Sequence, residues 1–149
     1  MNSGLPTQGL AATPWRPRKV LLVDHDCNDL SGGAEALRER GYQVNTCSCS
    51  EEGVQKLDRE PFDFVLVCQG SPGFEGRSVL ERAKLIDRQL PVLVVTRCPD
   101  MHCYLEAMQL GAFDYVEKPI APSDLARMVD THMRPAGATA HSGSRLILR

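Results

Sequence analysis

The sequence predicts an α/β fold, an open parallel sheet with helices on both faces, and three observations carry that reading. The runs Lys19-Val20-Leu21-Leu22-Val23, Phe64-Val65-Leu66-Val67 and Val92-Leu93-Val94-Val95-Thr96 are almost uninterruptedly apolar, as strands covered on both faces are. The segments between them place apolar residues at helical spacing. A strand joined to a parallel neighbour through a helix makes a right-handed crossover, so repeated units of this kind wind helices onto both sides of one sheet.

The elements follow in chain order. After the first apolar run, Leu30, Ala34 and Leu37 mark a helix that ends at Gly41, with Gly32 and Gly33 each costing it about 1 kcal/mol relative to alanine. Tyr42 to Cys47 is a weaker, mixed run that fits a flanking strand. Ser50 is the expected cap of a second helix, with Glu51 and Glu52 at its positive end and Val54 and Leu57 facing inward. The second apolar run is followed by the stripe Val79, Ala83 and Ile86, and the third by a helix begun at Asp100 that carries Leu105 and Met108. Gly111 ends that helix, Phe113 to Val116 forms the last strand, and Ser123 or Asp124 starts a final helix with Leu125, Met128, Val129 and Met133 inward.

Composition sets the outer limits. The 149 residues suit one domain, read as 19–134, with tails 1–18 and 135–149 whose Pro, Gly, Ser and Ala content shows no period. With 17 Lys+Arg against 19 Asp+Glu there is no basic face for autonomous nucleic-acid binding. No apolar run approaches the roughly 18 residues of a membrane span, and the first residues lack a basic start and an apolar core, so a cytoplasmic protein is expected. The 6 cysteines, Cys27, Cys47, Cys49, Cys68, Cys98 and Cys103, contain no C-x-x-C pair and are expected reduced, most of them as small buried hydrophobes.

In doubly wound sheets the working site lies beyond the carboxyl ends of the central strands. Here those ends read Asp24-His25-Asp26-Cys27, Cys68-Gln69-Gly70-Ser71-Pro72-Gly73, Thr96-Arg97-Cys98 and Glu117-Lys118-Pro119. Together with Phe62-Asp63 before the third strand, Phe74-Glu75-Gly76 after it, and Gly111-Ala112-Phe113-Asp114-Tyr115-Val116, the chain resembles the receiver domain of two-component response regulators. The resemblance spans nearly the whole core and implies a flavodoxin-like fold with strand order 2-1-3-4-5. It also implies phosphorelay signalling with a histidine kinase or output protein as partner, and no enzyme activity of the domain's own.

In that family an acidic pair after the first strand and an aspartate ending the third hold Mg²⁺, and the latter accepts phosphate. A lysine then pairs with the phosphate, and a threonine and an aromatic residue transmit the change. By resemblance Asp24 holds the first acidic position, Thr96 and Tyr115 the switch positions and Lys118 the phosphate-pairing position, with a cis Lys118–Pro119 bond. Asp24 and Gly70 are the implied metal positions. The departures are His25 at the second acidic position and Cys68 at the acceptor position, with Asp26 only a partial substitute one residue past the strand end. The expected consequence is a receiver not phosphorylated by the usual chemistry, with weak or absent Mg²⁺ binding and no other cofactor.

Other chemistries compete with this reading. Lys118 facing Cys68 would lower the thiol pKa and suit a redox sensor. Asp24, His25, Asp26 and Cys68 together offer a mixed ligand set for Zn²⁺. A Cys68–His25 hydrolase lacks a third, orienting group. A further reading makes the chain the receiver portion of a transcription regulator, because Gly111 to Pro119 resembles receivers attached to transcription activators, although no helix-turn-helix, phosphate-binding loop or basic segment follows Met133. The resemblance places partner contacts, homodimerisation among them, on the fourth helix, fifth strand and fifth helix, with Arg97, His102, Tyr104, Gln109, Asp114, Tyr115 and Arg127 as candidates.

Overall fold

The computed structural model describes residues 17–26 and 31–133. The expected tails therefore lie almost wholly outside the described residues, as do Cys27 and Leu30. Strands β1 (Lys19–Asp24), β2 (Gln43–Cys47), β3 (Phe64–Gln69), β4 (Val92–Thr96) and β5 (Asp114–Glu117) alternate with helices α1 (Ser31–Glu39), α2 (Ser50–Arg59), α3 (Arg77–Ile86), α4 (Met101–Leu110) and α5 (Pro122–His132). All strand pairs are parallel and the order is β2-β1-β3-β4-β5, as the sequence implied.

The uninterrupted apolar runs are explained by two separate core layers. Val20, Leu22, Phe64, Leu66, Leu93 and Val95 point to one side, where they meet Leu37 of α1 and Leu125 and Val129 of α5. Leu21, Val23, Val65, Val67, Val92 and Val94 point to the other, against Leu57, Val79, Leu80, Ala83 and Ala107. Alternate side chains of one strand thus feed opposite layers, and each fully buried Val, Leu or Phe contributes about 1.5–3 kcal/mol.

The glycines of α1 have a packing reason. A Cβ on Gly33 would stand 2.5 Å from Leu125 Cδ2, so its absence lets α1 and α5 close on each other. Asp100 caps α4 as expected, its carboxylate accepting from the Cys103 N–H at 2.9 Å, and Gly111 ends the helix in the left-handed region at φ 108°.

Several local expectations are corrected. Cys49, not Ser50, occupies the cap of α2, and the Ser50 hydroxyl is used elsewhere. α5 begins at Pro122, whose fixed φ suits the first helical turn, rather than at Ser123 or Asp124. Ile86 is 50% exposed, with Leu80 taking its place inside, and Leu105 is equally exposed because the small Cys103 and Ala107 face the core.

Candidate functional site

The register of the central strands aligns the functional positions. Asp24 pairs with Cys68, Cys68 with Val95, and Gln69 with Thr96, so the ends of β1, β3 and β4 finish at one level. Lys118, just after β5, is fixed to the same level by its N–H, which donates to the Thr96 carbonyl at 2.8 Å, and the Lys118–Pro119 bond is cis. Asp24, Cys68, Thr96 and Lys118 are all buried.

Asp26, read from the sequence as a partial substitute in the acidic pocket one residue past the strand end, turns its carboxylate into that pocket. Asp26 Oδ2 lies 2.6 Å from Lys118 Nζ and accepts from Arg97 Nε at 3.1 Å and Nη2 at 2.6 Å. The Asp26 N–H donates to Asp24 Oδ1 at 2.8 Å, a short turn that sets the side chain's direction. Gly70 completes the arrangement, because a Cβ there would lie 2.5 Å from Asp26 Oδ1. The Lys118 ammonium, and secondarily the Arg97 guanidinium, hold the Asp26 carboxyl below its ordinary range against the opposing effect of burial.

Arg97 is accordingly a pocket residue. Half exposed and a candidate for the partner face, its side chain also forms an ion pair with Asp26 across the sheet end. No local pattern announced this, since Asp26 is 71 residues from Arg97 and 92 from Lys118.

His25 turns away from the carboxylates. Its ring contacts the Cys68 carbonyl oxygen through Nδ1 at 3.2 Å and Ser50 Oγ through Nε2 at 2.9 Å. The Ser50 hydroxyl donates its one proton to the Glu75 carbonyl at 2.7 Å, and the Cys68 carbonyl can only accept. This joins β1 to the start of α2 and the loop before α3, and Ser50 is the member that sequence reasoning treated as a mere cap.

The site also bears on the three alternative chemistries. Burial, the largest influence, pushes the Cys68 thiol up to about 12, outweighing the Lys118 hydrogen bond that acts in the other direction, which disfavours a thiolate there. The Cys68–His25 pair of a hydrolase is absent, because the ring meets the Cys68 backbone and not its sulfur. Among the described residues no group of three or more His, Cys, Asp or Glu side chains converges as a metal-ligand set, which removes the zinc arrangement.

Around the pocket, Gln69 points to the opposite face from Cys68 and braces the β3–α3 loop, accepting from the Gly76 N–H at 2.9 Å. Thr96 Oγ1 accepts from the Cys98 N–H at 3.1 Å. Tyr115 is half-buried, with its hydroxyl accepting from the Asp100 N–H at 3.2 Å and also hydrogen-bonded to the Thr96 side chain. Its ring packs edge-on to Tyr104 at 5.7 Å. Desolvation, its largest influence, raises the Tyr115 pKa. Beyond it Met101, Tyr104 and Leu105 form an exposed apolar patch, 70%, 39% and 50% accessible. Of the other expected face residues, His102, Gln109 and Arg127 are exposed and Asp114 is half-buried, while Arg127 pairs with Asp124 on its own helix. Among the described residues no helix is long and apolar enough to cross a membrane.

Comparison with known proteins agrees with this architecture. The response regulator receiver domain family matches residues 20–130. The chain is 29% identical over 129 residues to the transcriptional regulatory protein PrrA of Mycobacterium leprae, covering 87% of this chain and 55% of the relative. It is 28% identical over 127 residues to the transcriptional regulatory protein QseB of Escherichia coli O157:H7, covering 85% and 58%. The chain thus spans about half the length of these curated relatives. Among solved structures, a CheY-like receiver domain protein from Methanospirillum hungatei JF-1 superposes with a TM-score of 0.71 at 27% identity, covering 78% of this chain and 93% of that one. A receiver domain protein from Clostridium thermocellum gives 0.68 at 25% identity, covering 88% and 99%. With the strand order, the aligned strand ends and a family match across nearly the entire sheet, the chain belongs to the receiver domains of two-component response regulators.

Proposed function

We propose that this receiver domain works through protein contacts and without the aspartyl-phosphate chemistry of its family. One observation carries the reading: a buried thiol, rather than a carboxylate, stands at the carboxyl end of β3 beside Lys118. Phosphoryl transfer to a receiver needs a carboxylate oxygen as nucleophile and a hard cation to offset the charge of the transferred group.

The cation is equally poorly served. Mg²⁺ takes oxygen ligands in near-octahedral geometry. At the implied metal positions the Asp24 carboxylate and the Gly70 carbonyl are oxygen donors, but the His25 ring faces Ser50 and the Cys68 carbonyl, and Asp26 is committed to two cations. This donor set does not fit Mg²⁺.

The expected partner is a histidine kinase or an output protein, met on the face of α4, β5 and α5, where Met101, Tyr104 and Leu105 are exposed; homodimerisation would use the same face. A second reading, supported by the coverage of roughly half of PrrA and QseB, makes this the receiver portion of a transcription regulator. A pull-down with this chain tests the first reading and is expected to return a kinase or an output protein.

The test of the central claim is intact-mass measurement after incubation with acetyl phosphate and Mg²⁺. The native chain is expected to gain no phosphate, and a gain of one phosphate overturns the reading. The Cys68→Asp, His25→Asp variant is the positive comparison.

A further inference from the structure

The convergence on Asp26 suggests what the pocket has become. Two cations from different strand ends, Lys118 with a side chain 4% exposed and Arg97 with one 52% exposed, meet at a single oxygen of one carboxylate. That carboxylate has a built seat: Gly70 leaves the room for it, and Asp24 holds the Asp26 N–H so that the side chain points inward. Paired, inward-facing cations of this kind are the ordinary recognition chemistry for a small tetrahedral oxyanion.

We propose that Lys118 and Arg97 form an oxyanion site that the chain's own Asp26 carboxylate occupies, so that the domain excludes free phosphate from its pocket. The Asp26 side chain acts as a built-in competitor whose effective concentration no free anion matches, because it is attached at the rim of the site. Other carboxylates limit the site's strength. Asp24 accepts from the Asp26 N–H and is hydrogen-bonded to the Cys68 thiol, and Glu75 accepts from the Gly70 N–H at 3.1 Å. The ligand class is therefore inorganic phosphate or sulfate bound modestly, once Asp26 is removed.

This inference rests on the reading that the domain does without aspartyl-phosphate chemistry, but the two fail separately. Phosphorylation of the native chain by acetyl phosphate defeats the former, and the behaviour of Asp26 variants toward inorganic phosphate decides the latter.

The experiment is titration of the full chain with inorganic phosphate, followed by ³¹P line broadening at neutral pH and constant ionic strength. Asp26→Ala is expected to bind phosphate at least about tenfold more tightly than the native chain, the range of a modest coupling between sites. Adding Lys118→Met to Asp26→Ala is expected to abolish that gain. Phosphate binding by Asp26→Ala no tighter than by the native chain overturns the proposal, as does a gain that survives Lys118→Met. Should Asp26→Ala not fold, Asp26→Ser removes the same carboxylate and carries the same two criteria.

Discussion

The strand-end pocket and the outer surface of α4 solve opposite problems. In the pocket, polar and charged groups satisfy one another: Asp26 takes Lys118 and Arg97, and His25 takes Ser50 and the Cys68 carbonyl. On α4, apolar groups that could have joined the core turn outward, leaving Met101, Tyr104 and Leu105 in solvent. The difference teaches where free energy is still available for interaction. A closed set of ion pairs offers a newcomer little net gain, because each contact must first be broken, whereas exposed apolar surface gains on being covered. The two regions are linked by Tyr115, whose hydroxyl touches both Thr96 and the start of α4 while its ring packs on Tyr104.

The contrast breaks most sharply at Lys118. Lys118→Met leaves the Asp26 carboxylate with Arg97 alone in a mostly buried setting, and breaking such a pair costs about 3 kcal/mol. Urea unfolding measures it, and a loss below about 1 kcal/mol means that the pocket is not held together as described.

Asp26→Asn is the next step down, at about 1.5–3 kcal/mol near neutral pH for hydrogen bonds to charged groups. Its pH dependence sharpens the assignment. Because the folded Asp26 carboxyl lies below its ordinary value of 3.8, its contribution is fully present above that value and is lost as pH falls through the folded pKa. The stability gap between native chain and variant should stay constant from about pH 5 to 7 and close in acid as pH falls below 3.8 toward the lowered folded pKa.

Thiol reactivity gives a smaller and independent readout. Iodoacetamide at pH 8 should label the exposed Cys49 first and the half-buried Cys98 more slowly, leaving Cys68 untouched until the chain unfolds. Peptide mass mapping checks the order, and early alkylation of Cys68 contradicts the buried, protonated thiol.

Leu105→Ser is expected to change stability by no more than about 0.5 kcal/mol, since an exposed side chain has little packing to lose. It should nonetheless weaken self-association or partner capture, measured by sedimentation or pull-down. A destabilisation above 1 kcal/mol, roughly double that surface value, would instead return Leu105 to the core.

How far the sequence could be read depended on the distance over which each signal acts. Asp100 and Gly111 announced the ends of α4 because capping is a matter of a few neighbouring residues. The apolar runs announced β1, β3 and β4 because burial on both faces leaves nothing else for those positions to be. α4 itself misled the eye: it carries apolar residues nearly all round, so period alone could not say that small Cys103 and Ala107, rather than Leu105, would approach the sheet.

The sequence by itself determined the doubly wound sheet, its carboxyl-end site and the presence of Cys68 and His25 at the implied acceptor and acidic positions. Only the tertiary structure decided what the charges there do. Asp26 and His25 are adjacent in sequence yet face different partners, one drawn to Lys118 and Arg97 and the other to Ser50 and the β3 backbone. Those partners come from four other places in the chain, and side-chain direction at a strand end is set by which complementary groups the fold brings within hydrogen-bond reach.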